Sequence, residues 1–134
     1  MEVQYHIEPD TAFPGRLISR NSGDNACLDL AYSWLQRCSL YHGRPCFPQT
    51  DGPLPTRLIY IPQNGSHRLT LENTEGKTGK YVALSHCWGD GIGIRTLKKL
   101  LSSREAGFMF ETLPESFKDA VVVTRRLGFS YLWM

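Results

Sequence analysis

The order of the elements that residues 81–134 predict constrains the fold of this 134-residue chain more than any other feature. The apolar run at 81–88 predicts a strand, two helix patterns follow it, and 129–134 predicts a second strand. A crossover that carries helices joins strands that run parallel in one sheet. We therefore predict an α/β fold in which these two strands are parallel neighbours.

The sequence predicts one helix before this segment and another within it. The first helix pattern begins at Asp24 or Asn25, and apolar residues recur at helical spacing as far as Cys38. A second helix is predicted from Thr96 to about residue 105, and Gly107 ends it. Both helices are expected to pack one apolar face against the protein.

The third helix pattern is the best marked. Thr112 and Glu115 have capping-box spacing, Pro114 suits the first turn, and Gly128 suits a left-handed exit. The predicted buried stripe consists of Phe117, Ala120, Val121 and Thr124.

Two further strands are predicted upstream, at 57–61 and 67–71, with Asn64-Gly65 as the turn of a β-hairpin. The run at 81–88 is apolar on both faces, which is typical of a central strand. The strand at 129–134 is apolar and is the last segment of the chain, so we expect it at an unprotected edge. The sequence thus predicts a partial parallel sheet, preceded by a helix and a hairpin and incomplete at the C-terminus.

Segments rich in proline and glycine divide the chain into three parts. We predict an irregular leader at 1–23, a helix followed by a Pro- and Gly-rich linker at 24–56, and the domain proper at 57–134.

Composition excludes several classes of function. The formal net charge of +2 does not indicate a nucleic-acid partner. No window approaches the roughly 18 apolar residues of a membrane span, and the N-terminus lacks the pattern of a secretory signal. We expect the four cysteines to be reduced thiols, in a cytosolic or nuclear protein, and we assign it to the cytoplasm.

The stretch YVALSHCWGDG at 81–91 gathers the residues most able to carry chemistry. A Cys87 nucleophile with His86 as its base is disfavoured, because neighbouring strand residues point to opposite faces. Ligands of parallel sheets bind beyond the carboxyl ends of strands. The predicted ligand-binding residues are Ser85, His86, Trp88, Gly89, Asp90 and Gly91, and Ser85 and Asp90 are also catalytic candidates. The alternative is that Cys87 and Trp88 only pack in the core.

Other candidate sites have simpler interpretations. The glycines at 89–93 predict a flexible turn in preference to a phosphate-binding loop. Cys38, His42 and Cys46 have metal-like spacing, but a zinc site needs a fourth ligand, Cys27 or His67, that no motif supplies. We predict neither a metal nor a cofactor.

Charged residues on the predicted helices are interpreted as a solvated outer face. The basic ones are Lys98, Lys99, Arg104, Arg125 and Arg126. Asp119 is either a solvent-facing helix residue, which we favour, or a partner that orients the glycine turn.

Three motifs carry a family resemblance: PTRLIYI at 55–61, YVALSHCWG at 81–89 and LPESFKDAVVVTRRLGFSYLWM at 113–134. Their order and spacing resemble the fungal heterokaryon incompatibility (HET) domain, and SWLQRCSLYHGRPC at 33–46 resembles the helix that often precedes it. His86 stands where the family usually carries Tyr. The Asp-Ser-Leu-Cys-Ile-type segment that follows in the family is absent from this chain.

The resemblance implies a signalling or interaction module in fungal nonself recognition, with programmed cell death as the output and an innate-immunity-like mode of signalling. It implies protein partners or self-association, and it allows a nucleotide ligand. By a more distant analogy with TIR domains it implies a flavodoxin-like fold. That analogy leaves an alternative function, an NAD-cleaving hydrolase with residues 85–93 at its pocket. A third alternative is a truncated, inactive fragment.

Overall fold

The computed structural model describes residues 19–43, 51–87 and 100–134. The helices are α1 (Asn25–Tyr41), α2 (Leu101–Ala106) and α3 (Glu115–Arg126). The strands are β1 (Gly52–Pro53), β2 (Arg57–Tyr60), β3 (Arg68–Asn73), β4 (Thr78–Gly79), β5 (Val82–Ala83), β6 (Phe108–Met109) and β7 (Tyr131–Trp133). The 3-10 turn Phe110–Thr112 lies between β6 and α3.

The main sheet has five strands in the order β5-β7-β2-β3-β6. β2 is antiparallel to both β3 and β7, β3 is antiparallel to β6, and β5 is parallel to β7. β1 and β4 pair separately as a two-stranded antiparallel sheet. The fold is therefore mixed α/β, and the predicted hairpin and the predicted parallel strands share one sheet. The flavodoxin-like arrangement stays a prediction.

The hairpin prediction is confirmed. β2 and β3 pair with Tyr60 opposite Thr70, and Gly65 in their connection has φ of 80°. Asn64 stabilises the turn, because its side-chain oxygen accepts a hydrogen bond from the backbone N–H of Ser66 at 3.0 Å. A positive φ costs glycine little, which explains why Asn-Gly marks this turn.

The parallel pairing of the two strands at the ends of the crossover is also confirmed, with Val82 opposite Leu132 and Ala83 opposite Trp133. Their predicted places in the sheet are wrong. β7 lies between β5 and β2, whereas β5 is an edge strand of the described sheet. The last strand of a sequence can insert between earlier ones, so its sequence position does not make it an edge. The exposed side chains of Tyr81 and Ala83 show that apolar residues on both faces did not require a central strand.

The core lies between the sheet and α3. The fully or nearly fully buried apolar residues of this cluster are Ile61, Leu69, Leu113, Phe117, Val121 and Leu132. Val82 and Leu84 pack against it from β5 and the residue after it. The α3 stripe is confirmed, since Phe117, Val121 and Thr124 are buried and Ala120 packs against the cluster. α3 thus covers one face of the sheet.

The predicted capping box at the start of α3 is wrong. Thr112 belongs to the 3-10 turn, and its hydroxyl donates to the Met109 carbonyl at 2.7 Å. Pro114 occupies the N-cap position, with Glu115 in the first turn. The hydroxyl bonds backward because the 3-10 turn brings the carbonyl of the residue three positions earlier within its reach. The exit is as predicted, with Gly128 at φ of 81°.

α1 confirms the first predicted helix and follows Asp24, its N-cap. It contains no buried residue, and its main contact among the described elements is with α3. An ion pair between Asp29 of α1 and Arg126 of α3 joins the two helices. α2 lies within the second predicted helix, whose first residues, 96–99, are outside the described ranges. Gly107 follows α2 with φ of 113°.

Candidate functional site

The carboxyl ends of β5 and β7 lie side by side at one edge of the sheet. The register places Ala83 beside Trp133, and the backbone N–H of Leu84 continues the pairing by donating to the Trp133 carbonyl at 2.9 Å. Ser85, His86 and Cys87 follow directly. Residues that follow neighbouring parallel strands occupy the position where ligands of α/β proteins bind.

The burial of the side chains alternates along residues 84–87. Leu84 and His86 are half-buried on the α3 side, whereas Ser85 and Cys87 are exposed. His86 and Cys87 therefore lie in different environments, which agrees with the argument against a Cys–His dyad. The exposed residues of this edge offer one hydroxyl and one thiol, and the half-buried residue offers an imidazole.

α3 holds His86 in place. The imidazole packs edge-on against the ring of Phe117, with the ring centroids 4.9 Å apart and the planes at 86°. Edge-to-face packing of this kind is the preferred arrangement of aromatic rings. His86 thus fixes the end of β5 to the first turns of the helix that covers the sheet.

The remaining predicted ligand-binding residues, Trp88, Gly89, Asp90 and Gly91, lie outside the described residues, and so does the rest of the glycine turn. The structure therefore brings together Ser85 and His86 from the predicted set, beside Trp133. The ligand, and the catalytic roles suggested for Ser85 and Asp90, stay predictions.

A polar and aromatic cluster lies on the sheet face opposite α3, and sequence reasoning missed it. The Tyr131 hydroxyl donates to Glu72 at 3.0 Å, and the Lys77 ammonium lies 3.7 Å from the same carboxylate oxygen. Tyr60 is directly opposite Tyr131, with ring centroids 5.7 Å apart. Burial, followed by the bond to Glu72, raises the pKa of Tyr131. Only the register of three strands unites these residues, so no local motif could reveal them.

A second missed contact joins β3 to the 3-10 turn. The exposed His67 imidazole and Glu111 carboxylate form a hydrogen bond, and the His67 ring lies edge-on to Phe110. The hydrogen bond to His67, with smaller help from the Glu111 backbone, lowers the pKa of Glu111 from its ordinary value of 4.5. The Phe110 N–H also donates to the His67 carbonyl at 2.8 Å. These contacts fasten the turn before α3 to the sheet.

The two arginines at the end of α3 lie in different environments. Arg125 is half-buried and donates to the Ser66 carbonyl at 2.8 Å, because the end of α3 reaches the β2–β3 turn. Arg126 is exposed, as predicted, although its guanidinium pairs with Asp29. The outer-face interpretation is therefore wrong for Arg125.

Arg104 is also half-buried, with its guanidinium 4.8 Å from the centroid of the Phe108 ring. The contact with Phe108 explains this departure, since the planar cation stacks on the aromatic face. Asp119 is exposed, which confirms the favoured interpretation of a solvent-facing residue. Lys98 and Lys99 lie outside the described residues.

The described ranges contain no group of three or more potential metal ligands. Cys27 and Cys38 are half-buried in α1, and His42 is exposed at the end of that helix. Cys46, the third residue with metal-like spacing, lies outside the described residues. No helix among the described residues combines the length and the apolar character needed to span a membrane.

A protein-family model matches the segment that contains β5, α2, α3 and β7. Residues 81–134 match the family described as Heterokaryon incompatibility protein (HET). The resemblance to the HET family is confirmed. The matched HET segment begins just before β5 and ends after β7, and the motif at 55–61 lies outside it. No curated protein and no solved structure matches the chain. The match supports a heterokaryon-incompatibility-type function, in a fungal context, at the level of the family.

His86 lies within the matched segment, and its ring packs edge-on against Phe117. The imidazole thus brings a ring nitrogen to the end of β5.

Proposed function

We propose that this chain is a HET-type signalling and interaction module in fungal nonself recognition, whose activation leads to growth arrest and programmed cell death. The observation that carries the proposal is the family match over residues 81–134. That segment includes the parallel strand pair, α3 and the edge at Ser85 and His86.

The surface of the molecule supports an interaction role. Tyr81, Ala83 and Trp133 are exposed on the sheet face opposite α3, and Trp34, Leu40 and Tyr41 are exposed on α1. Exposed apolar groups that lie together are typical of sites that contact other proteins. A module that passes a signal by contact needs such surfaces.

The test is induced expression of the full chain in a filamentous fungus, with growth rate and cell viability as the readouts. We expect growth arrest and loss of viability after induction, and normal growth of an empty-vector strain. Normal growth while the folded protein accumulates would contradict the proposal and favour the inactive fragment.

A second readout in the same cells separates signalling from NAD hydrolysis. Cellular NAD and released nicotinamide are measured from induction until growth stops. Arrest with unchanged NAD supports the signalling module. A fall in NAD that precedes arrest, and that purified protein reproduces with NAD as the only substrate, would replace it with the hydrolase.

A further inference from the structure

The turn between β2 and β3 contains an asparagine that is followed directly by a glycine. Asn64 and Gly65 are both exposed, and Gly65 has φ of 80°. The side-chain amide of an asparagine can react with its own chain, because the backbone nitrogen of the next residue closes a five-membered ring with Cγ. A glycine in that next position favours the reaction, since no side chain hinders the approach and its backbone rotates freely.

The turn also polarises the amide of Asn64. Its Oδ1 accepts a hydrogen bond from the backbone N–H of Ser66 at 3.0 Å. Attack on Cγ places negative charge on this oxygen, and a fixed N–H donor stabilises such a charge. The same bond holds the amide alongside Gly65, the residue that it spans, so part of the entropy cost of ring closure is already met by the fold.

Asn73 shows what opposes the same reaction elsewhere in the fold. Its Oδ1 also accepts a hydrogen bond, from the backbone N–H of Glu75 at 3.0 Å. The next residue, Thr74, is fully buried, and its N–H donates to the Thr56 carbonyl at 2.8 Å. The nitrogen that would attack is therefore held in a hydrogen bond and crowded by a β-branched side chain. Asn73 shares the polarised amide with Asn64 but lacks an accessible nucleophile.

The other two asparagines of the sequence differ from Asn64 in another way. Oδ1 of Asn21 accepts from the Gly23 N–H at 2.9 Å, but the residue that follows Asn21 is Ser22, whose side chain crowds its own nitrogen. Asn25 is the first residue of α1, where the helix fixes the backbone. All four asparagines lie in the described ranges, and Asn64 combines the polarised amide with an exposed glycine.

We propose that Asn64 is a modification site, at which the side-chain amide is lost spontaneously and replaced by a carboxylate. The Gly65 nitrogen forms a bond to Cγ of Asn64 and gives up its proton, the bond from Cγ to Nδ2 breaks, and ammonia leaves. Water then opens the resulting succinimide at either of its two carbonyls. The products are aspartate and isoaspartate at position 64. The reaction needs only the turn and water, so it goes beyond the proposed signalling function and does not depend on it.

The two products affect the turn differently. Aspartate keeps the length of the side chain, so its carboxylate still accepts from the Ser66 N–H. Isoaspartate adds one methylene to the main chain, and the turn then no longer fits the register of β2 and β3, which its geometry helps to set. Arg125 of α3 donates to the Ser66 carbonyl at 2.8 Å, so the distortion also reaches the end of α3. Isoaspartate therefore destabilises the fold, whereas aspartate does not.

The first test incubates the purified full chain at neutral pH and follows each asparagine by peptide mapping with mass spectrometry. Trypsin releases residues 58–68, whose only asparagine is Asn64, and residues 69–77, which contain Asn73. Replacement of an amide by a carboxyl raises the mass of the peptide, and the isoaspartate form elutes separately. We expect Asn64 to react at least about tenfold faster than any other asparagine, a difference of about 1.4 kcal/mol in the barrier. An unchanged Asn64, or a loss at Asn73 that keeps pace with it, would overturn the proposal.

The same mapping in guanidinium chloride separates the effect of the fold from that of the sequence. Unfolding should accelerate the reaction of Asn73, because the Thr74 N–H is released from the Thr56 carbonyl. The rate at Asn64 should change much less. An acceleration of Asn64 as large as that of Asn73 would show that the folded turn protects the amide, which is the opposite of the proposal.

The effect on stability is tested with Asn64→Ser as the matched control. The serine hydroxyl still accepts from a nearby backbone N–H in a turn, but it carries no amide to lose. After the same incubation, a fraction of the wild-type chain should unfold at lower urea concentration, in proportion to its isoaspartate content, while Asn64→Ser unfolds as when fresh. Freshly purified Asn64→Asp should match fresh wild type.

Two outcomes would contradict the effect on the fold: unchanged stability of wild type despite isoaspartate at position 64, or an equal loss in Asn64→Ser. If Asn64→Ser itself lacks a cooperative transition, Asn64→Asp takes its place in the incubation. A carboxylate is attacked far more slowly than an amide, so the same outcomes apply to it.

Discussion

The imidazole of His86 lies edge-on to the ring of Phe117, with 4.9 Å between the ring centroids. This contact joins the end of β5 to α3, so it connects the candidate edge to the helix that covers the sheet. Its neighbour Ser85 is exposed on the other side of the same segment.

Replacing His86 by Ala should lower the free energy of unfolding by about 1 kcal/mol, the usual worth of an aromatic pair. Ser85→Ala, one residue away and exposed, should change it by less than about 0.5 kcal/mol. Urea unfolding of the two variants beside wild type measures the difference. Equal effects would show that the ring contact does not stabilise the fold.

Gly107→Ala should destabilise the protein by about 1 to 3 kcal/mol. Its φ of 113° is unfavourable for any side chain, and an added Cβ would lie 2.6 Å from Nε of Arg68. Gly52→Ala is the control, because a Cβ there meets nothing within 4 Å. The midpoint of thermal unfolding should fall for the first variant and hold for the second, and the reverse order would contradict the structure.

Stability should decrease in acid partly through Glu111. Its pKa is lowered from 4.5 by the hydrogen bond to His67, so its contribution is present above that value and is lost as the pH falls through the lowered pKa. Glu111→Gln should therefore flatten the dependence of unfolding free energy on pH below 4.5. Glu105→Gln, which changes an exposed carboxylate of α2, should leave the slope as in wild type.

The stability of the fold should also decrease at high pH, through Tyr131. Burial and the bond to Glu72 raise its pKa above the ordinary value of 10.0, so its contribution is complete below that value and is lost as the pH rises through the raised pKa. Tyr131→Phe should cost about 1 kcal/mol at neutral pH, because the Glu72 carboxylate loses a donor. It should also reduce the alkaline loss of stability, and unfolding at several alkaline pH values tests both effects.

Local signals predicted the parts of the fold that local chemistry decides. Asn64-Gly65 identified the hairpin turn, and the spacing of Phe117, Val121 and Thr124 identified the buried face of α3. The capping box failed because a neighbouring 3-10 turn gave Thr112 a nearer acceptor.

Pairing between strands that are distant in the sequence could not be predicted from local patterns. Pairing of β7 with both β5 and β2 cannot be deduced from its position in the sequence, and β6 is only two residues long. The cluster of Tyr131, Glu72 and Lys77 depends on the same pairing. The candidate edge was predicted by its place after β5, since Ser85 and His86 follow a parallel strand.

The central claim is that the folded HET segment carries the incompatibility-type response, and two adjacent valines of α3 test it most directly. Val121 is fully buried in the core, whereas Val122 is exposed. Growth is measured after induced expression of the wild-type chain, Val121→Asp and Val122→Asp at matched protein levels. We predict arrest with wild type and Val122→Asp, and normal growth with Val121→Asp. Equal arrest by both variants, or normal growth with the wild-type chain, would contradict the account.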